Sequence, residues 1–307
     1  MMKHIPLGKS GLLVPSVALG CMRLGDVDEK EAEALLDTAL ELGCNFFDHA
    51  DIYGQGACES RFAQAIHMSP SVREKIILQS KCGIGPGRMY DSSKEHILSS
   101  VDGILGRLQT EYLDVLLLHR PDALVEPEEV AEAFDILHCS GKVRFFGVSN
   151  HRSSQIRLLQ KYVEQPLVAD QLQFSVVNSS MIQIGMEANM GTDGAVDRDG
   201  GVLDFCRENE ITIQTWSPFQ YGYRSGVFLG NPKFRELDDA IGELAQKYGT
   251  TDTAVAAAWI LRHPAKMQLV AGTTKPSRLK EICQAADLTL TREEWYRLYL
   301  AAGHMLP

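Results

Sequence analysis

Eight short runs of apolar and β-branched residues recur along the chain, at residues 16–20, 44–48, 76–81, 112–119, 143–148, 168–174, 211–216 and 268–271. Most are continuously apolar rather than alternating, the pattern of parallel strands covered on both faces. The segments between them carry helix signals. Asp28 and Glu31 have the spacing of a capping box, Ala32, Leu35, Leu36, Ala39 and Leu40 form one apolar stripe, and Gly43 stands where that helix would stop. Ile97, Val101, Ile104, Leu105 and Leu108 form a second stripe, and Pro127 opens a further helix ending near Gly141. The β-then-α alternation never breaks into blocks. Eight such units predict an α/β fold of the closed (β/α)8 TIM barrel type, because a doubly wound sheet more often has about five or six strands and a glycine fingerprint after the first. Residues 3–14 predict an N-terminal β-hairpin that plugs the bottom of the barrel. Long loops are expected after strands 6 and 7, at 175–200 and 218–264, the second holding two helices. Met181, Met186 and Met190 would make the first an adaptable apolar lid or a packing loop. Residues 1–307 are expected to form a single barrel domain.

Composition narrows the partners. With 45% hydrophobic and 23% charged residues among 307, the chain has the make-up of an ordinary globular protein. Thirty basic against 40 acidic residues give a net charge of −10, so nucleic acid, which needs a basic footprint, is not an expected partner. The seven cysteines (21, 44, 58, 82, 139, 206, 283) are scattered, odd in number and free of Cys-x-x-Cys spacing, which argues against a disulfide framework or zinc site and for a reducing compartment. No apolar run approaches the ~20 residues of a membrane span, and the first residues lack the apolar centre of a signal peptide. A cytoplasmic location with no membrane partner is the expectation.

Barrel enzymes carry their chemistry where strands end. Strand 2 ends in Phe46-Phe47-Asp48-His49-Ala50-Asp51-Ile52-Tyr53-Gly54, strand 3 in Gln79-Ser80-Lys81, and strand 4 in Leu116-Leu117-Leu118-His119-Arg120-Pro121-Asp122. Asp48, Tyr53, Lys81 and His119 would converge on one mouth. Any one of them alone would pass for a solvated strand terminus; together, on three consecutive strands, they are harder to dismiss.

The order Phe-x-Asp-x-Ala-x-x-Tyr, an apolar run ending in Lys, then Leu-Leu-Leu-His-Arg-Pro-Asp resembles the aldo-keto reductase superfamily. Further matches are Gly147-Val148-Ser149-Asn150, Gln171-Leu172-Gln173-Phe174-Ser175, Trp216-Ser217-Pro218-Phe219 and Gly272-Thr273-Thr274-Lys275-Pro276-Ser277-Arg278. The chain is most similar to a bacterial oxidoreductase branch of that superfamily. The resemblance implies NADPH-dependent reduction of an aldehyde or ketone, with Tyr53 as general acid, Lys81 stabilising its phenolate, Asp48 orienting Lys81, and His119 hydrogen-bonding the substrate oxygen. It also implies that Ser149, Asn150 and Gln171 bind the nicotinamide carboxamide, that Trp216 stacks on the ring, and that Ser217, Phe219 and Gln220 lie at the pyrophosphate. Gly272, Thr273, Thr274, Lys275 and Arg278 would bind the 2′-phosphate, favouring NADPH/NADP+ over NADH. No metal is required. Arg120 and His49 depart from the wider pattern, where Trp and a small hydroxyl residue are common, so the identity of the small-molecule carbonyl is left open.

Two motifs are set aside. Gly83-Ile84-Gly85-Pro86-Gly87 fails the dinucleotide fingerprint, with Arg at position 88, and reads as a mobile loop. Asp197-Arg198-Asp199-Gly200 resembles a calcium loop, but its twelfth position falls on Cys206 where Glu is needed. Two other functions share parts of the pattern: a nucleotide-responsive regulatory subunit resembling potassium-channel β subunits, and a Schiff-base aldolase-type barrel using Lys81.

Overall fold

A computed structural model of the protein describes residues 2–87, 89–223 and 225–306. Eight parallel strands close into a barrel: Val17–Gly20, Phe46–Asp48, Ile77–Cys82, Leu113–Leu118, Val143–Ser149, Leu167–Gln173, Thr212–Trp216 and Gln268–Ala271. They are called barrel strands 1 to 8 below. Each pairs with its sequence neighbours, and strand 8 pairs with strand 1. The expected (β/α)8 architecture is present, with every strand within three residues of its sequence-based bounds.

Helices pack outside the strands for the local reasons read above. Helix Glu29–Glu41 begins at a complete Asp28/Glu31 capping box, and Gly43 follows it with φ +73°. Helix Pro127–Cys139 starts on its proline and presents Val130, Ala133, Phe134 and Leu137 inward. The two helices expected between residues 218 and 264 are Arg235–Tyr248 and Asp252–Leu261.

The N-terminal hairpin pairs His4–Pro6 with Leu13–Pro15 and closes one end of the barrel. Its Ile5, Leu7 and Val14 pack with the inward residues Ala18, Phe46, Val115, Leu117 and Val168. Gly8 permits this approach: a Cβ there would lie 2.4 Å from the Val168 carbonyl, and its φ is +49°.

Of the two readings of residues 175–200, the structure fits the packing loop, since helix Ser180–Met186 buries Met181 and Ile182 against the core, and His304 bonds Val176, Ser179 and Gln183. One loop expectation is corrected. The glycine-rich segment is not a plain mobile loop: Ile84–Gly85 pairs antiparallel with Met89–Tyr90, the hairpin supplying backbone hydrogen bonds that a loop would lose. Arg88 lies outside the described residues. In the Asp197 turn the side chain accepts the Asp199 and Gly200 amides, which accounts for that motif as a backbone turn. Among the described residues no helix is long and apolar enough to cross a membrane, and no group of three metal-ligating side chains occurs.

Candidate active site

Barrel strands 2, 3 and 4 deliver four polar side chains to the end opposite the hairpin. Asp48 is the last residue of strand 2. The ladder then continues without regular strand, as the His49 amide donates to the Gln79 carbonyl and the Asp51 amide to the Lys81 carbonyl. That tether places Tyr53 at the start of a turn whose next residues, Gly54, Gln55 and Gly56, all have positive φ. Lys81 sits one residue before the end of strand 3, and the His119 amide extends strand 4 by donating to the Cys82 carbonyl.

Lys81 has no exposed surface. Its Nζ donates to Asp48 Oδ1 at 2.7 Å and Oδ2 at 2.8 Å, to the His49 carbonyl at 2.7 Å and to Tyr53 Oη at 3.4 Å. Burial alone would push this ammonium below its usual range, but the Asp48 charge and the bonds from Asp48 and Tyr53 outweigh it and raise the lysine. The ring of His119 stands edge-on to Tyr53, with centroids 5.9 Å apart. Burial, then the charges of Lys81 and Arg120, holds His119 well below the usual histidine range. Its Nδ1 is enclosed with no partner, so a neutral ring places its proton most favourably on Nε2.

Stabilisation of the phenolate by Lys81 would lower Tyr53, and burial outweighs it. Tyr53 is not more acidic than an ordinary tyrosine here: burial raises it, and Lys81 limits the rise without reversing it. His49 is a buried, neutral filler held down to about 3 by burial and by Lys81; its ring lies edge-on to Phe62 at 4.6 Å and its role at the site is the carbonyl it gives Lys81.

The residues carried over for the nicotinamide form a second cluster. Ser149 Oγ donates to the Gln171 carbonyl at 2.9 Å, Asn150 Nδ2 donates to Ser149 Oγ at 2.8 Å and to the His119 carbonyl at 3.4 Å, and Trp216 Nε1 donates to Asn150 Oδ1 at 3.1 Å. Gln171 Nε2 is turned to Asp48 Oδ1 at 3.0 Å and Gln214 Oε1 at 3.2 Å, leaving its side-chain Oε1, unlike its backbone carbonyl, without a protein donor among the described residues. Arg120 lies over the Trp216 ring at 5.9 Å.

The remaining residues sit at the same end but are not hydrogen-bonded to these clusters. Ser217, with φ +50°, starts the turn after strand 7; the Gln220 amide donates to its carbonyl, and the Phe219 carbonyl accepts the Phe228 amide. Gly272, Thr273 and Thr274 follow strand 8; Thr273 Oγ1 accepts the Lys275 amide at 3.1 Å, just before helix Pro276–Gln284. Lys275 and Arg278 are exposed, and that helix has no acidic residue in its first turn. A cavity of about 400 Å³ lies elsewhere, lined by Asp51, Gln55, Ser100 and Arg107 among others, and none of Asp48, Tyr53, Lys81 or His119 lines it.

Sequence reasoning missed Gln79, Gln214 and Gln268. Each is fully buried and joined to Gln171 and Asp48. The signal available was a polar residue inside an otherwise apolar run, on the same face as the chemistry two positions on in the case of Gln79 and Lys81.

Residues 16–299 match the aldo/keto reductase family. The chain is 36% identical to an uncharacterized oxidoreductase, YcsN, of Bacillus subtilis (strain 168), with all of both chains covered. It is 32% identical to a 6-dehydroglucose reductase of Novosphingobium aromaticivorans, covering 98% of this chain and 96% of the other. Among solved structures, the thermostable aldo-keto reductase Tm1743, determined with the inhibitor epalrestat, has a TM-score of 0.77 at 26% identity, covering 98% of this chain and all of the other.

Proposed function

The chain belongs to the aldo/keto reductase family, and on that premise we propose that it is an NADPH-dependent oxidoreductase reducing aldehyde or ketone carbonyls to alcohols in the cytoplasm. The observation that carries the mechanism is the single buried ammonium of Lys81 touching both Asp48 carboxylate oxygens and Tyr53 Oη.

The residues fit the nicotinamide. Gln171 Oε1 is an acceptor without a protein donor among the described residues, suited to a carboxamide NH₂, while Ser149 and Asn150 fix the Trp216 indole by the chain of bonds described above. Lys275 and Arg278, at a helix start whose first turn holds no acidic residue, suit a 2′-phosphate. When bound, the reduced cofactor supplies a hydride to the carbonyl carbon. All other parts of the reaction fall to the protein. His119 Nε2–H donates to the carbonyl oxygen and orients it, and a preorganised donor of this kind contributes ~3 kcal/mol in comparable sites. Lys81 donates into the Tyr53 oxygen, so the phenol's own proton is free to point at the substrate. As negative charge grows on the carbonyl oxygen, Tyr53 gives up that proton, and Lys81 stabilises the resulting phenolate. Asp48 keeps Lys81 charged and aimed. A Schiff-base role for Lys81 is disfavoured by the same facts, because an amine raised and bonded to a carboxylate lacks the free lone pair that attack requires.

Tyr53→Phe tests the reading. Turnover with NADPH and simple aldehydes is expected to fall about a hundredfold or more while NADPH affinity stays within about twofold. A parallel loss of cofactor affinity would contradict the assigned role.

A further inference from the structure

Asp48, Gln79, Gln171, Gln214 and Gln268 occupy one layer of the barrel interior. Asp48 is registered against Gln79, Gln171 against Gln214, and Gln214 against Gln268. None is more than 3% exposed.

The bonds among them form one connected network with a reciprocal Gln79–Gln214 pair at its centre. Gln268 Nε2 donates to the Pro15 carbonyl at 2.8 Å. Gln214 Nε2 donates to Gln268 Oε1 at 2.8 Å and to Gln79 Oε1 at 3.0 Å. Gln79 Nε2 donates to Gln214 Oε1 at 2.8 Å and to Asp48 Oδ1 at 2.6 Å. Gln171 Nε2 repeats that pair of contacts. The ends are acceptors only, a peptide carbonyl and a carboxylate, so turning any of these amides over would set oxygen against oxygen or N–H against N–H. Both N–H bonds of Gln79, Gln171 and Gln214 are used. An apolar layer would fill the same space without desolvating four amides, so the network's presence calls for a role beyond packing. Its terminus supplies one: Asp48 Oδ1 is also the oxygen held by Lys81.

We propose that Gln79 and Gln214 are positioning residues of the reduction, which fix Asp48 and draw on its negative charge so that more of the Lys81 charge acts on Tyr53. The proposal rests on the functional reading above. Without the Gln79 donor, and with Gln171 left as the remaining glutamine on Oδ1, Asp48 turns more of its charge on Lys81 and Tyr53, and the phenol becomes a weaker acid.

The test is the double variant Gln79→Met/Gln214→Met, which removes the reciprocal Gln79–Gln214 bonds and the Gln79 donor to Asp48 and roughly keeps side-chain volume; it leaves Gln268 Oε1 and one N–H of Gln171 without their Gln214 partner, so some loss of thermal stability is expected. In wild type and variant, kcat for an aldehyde is measured against pH, and NADPH affinity by fluorescence titration. Expected are a kcat about tenfold lower, an alkaline limb moved up by about half a pH unit or more, and NADPH affinity within about twofold. An unmoved limb overturns the proposal, whatever happens to thermal stability. Should the double variant not fold, Gln79→Glu gives the same decision: its introduced carboxyl can replace the N–H donor only while protonated, so kcat recovers toward wild type as pH falls, and a constant kcat ratio across pH overturns the idea. If wild type reduces no carbonyl at all, the functional reading fails. The network is then judged without turnover, from the ultraviolet titration of Tyr53 against a Tyr53→Phe background. A midpoint raised in the double variant supports it and an unchanged one sinks it.

Discussion

Lys81 carries its charge with no surface exposed to solvent, because three protein oxygens within 2.8 Å replace the water it has lost. The same desolvation raises Tyr53 and lowers His119, and these directions fix the expected pH dependence. Tyr53 keeps its proton up to and beyond the ordinary tyrosine range of ~10, and His119, held well below the usual histidine range, is neutral at neutral and alkaline pH. Reduction is therefore expected to show a kcat nearly flat between about pH 6 and 9, falling only in the alkaline range. A midpoint near the ordinary histidine value of ~6.5 would mean that His119 titrates in the complex, against its neutral assignment. Asp170 offers a second test, of stability. Its carboxylate is fully buried, neither oxygen is within hydrogen-bonding geometry of a donor among the described residues, and burial pushes it up to about 8, the nearby His151 and Asn150 amides offsetting only part of that rise. Between the unfolded value of ~3.9 and about 8, only the unfolded chain has released this proton, so the residue costs more stability as pH rises through that window. Asp170→Asn should stabilise the protein, with a gain about 2 kcal/mol larger at pH 7 than at pH 5 by denaturant unfolding. An equal gain at both values would show that the carboxyl is solvated.

At the scale of elements, turns decide where the chemistry points. The strand 2 turn places Tyr53 five residues beyond Asp48 and still within reach of Lys81, through two ladder bonds from residues 49 and 51 and three successive positive-φ residues. Period and apolar runs disclose strands, but such a turn depends on which neighbour accepts each amide. The helix Pro276–Gln284 is the element with the sharpest test. Its first turn joins Arg278 to the preceding Lys275, two cations at the positive end of the helix dipole, where they are favoured only if an anion joins them. Arg278→Ala is expected to weaken NADPH about tenfold or more while changing NADH less than about twofold in fluorescence titrations. Equal weakening would assign the residue to the shared part of the cofactor.

At the scale of the molecule, the barrel separates stability from chemistry. Hairpin and apolar layer close one end, the glutamine layer lies above them, and the polar mouth occupies the other end. Leu7 is fully buried in the closed end. Leu7→Ala should cost about 2–5 kcal/mol in unfolding free energy and leave kcat within about twofold. A comparable loss of turnover would show that the two ends are coupled.

The sequence by itself determined the repeated unit and its order. Continuous apolar runs, capping residues and terminating glycines act within a few residues of each other, so barrel strands, the Asp28 cap and the helix opened by Pro127 were legible, as was the convergence of Asp48, Tyr53, Lys81 and His119 on one end. Tertiary structure alone decided what those groups do to one another. Gln79 and Gln268 are separated by most of the chain and share one layer only because strand 8 closes on strand 1; their bonds, the burial that raises Tyr53, and the anchoring of residues 175–200 by His304 depend on distances across the closed barrel. Electrostatic effects follow those distances and the water excluded along them, and neither quantity is written in local sequence.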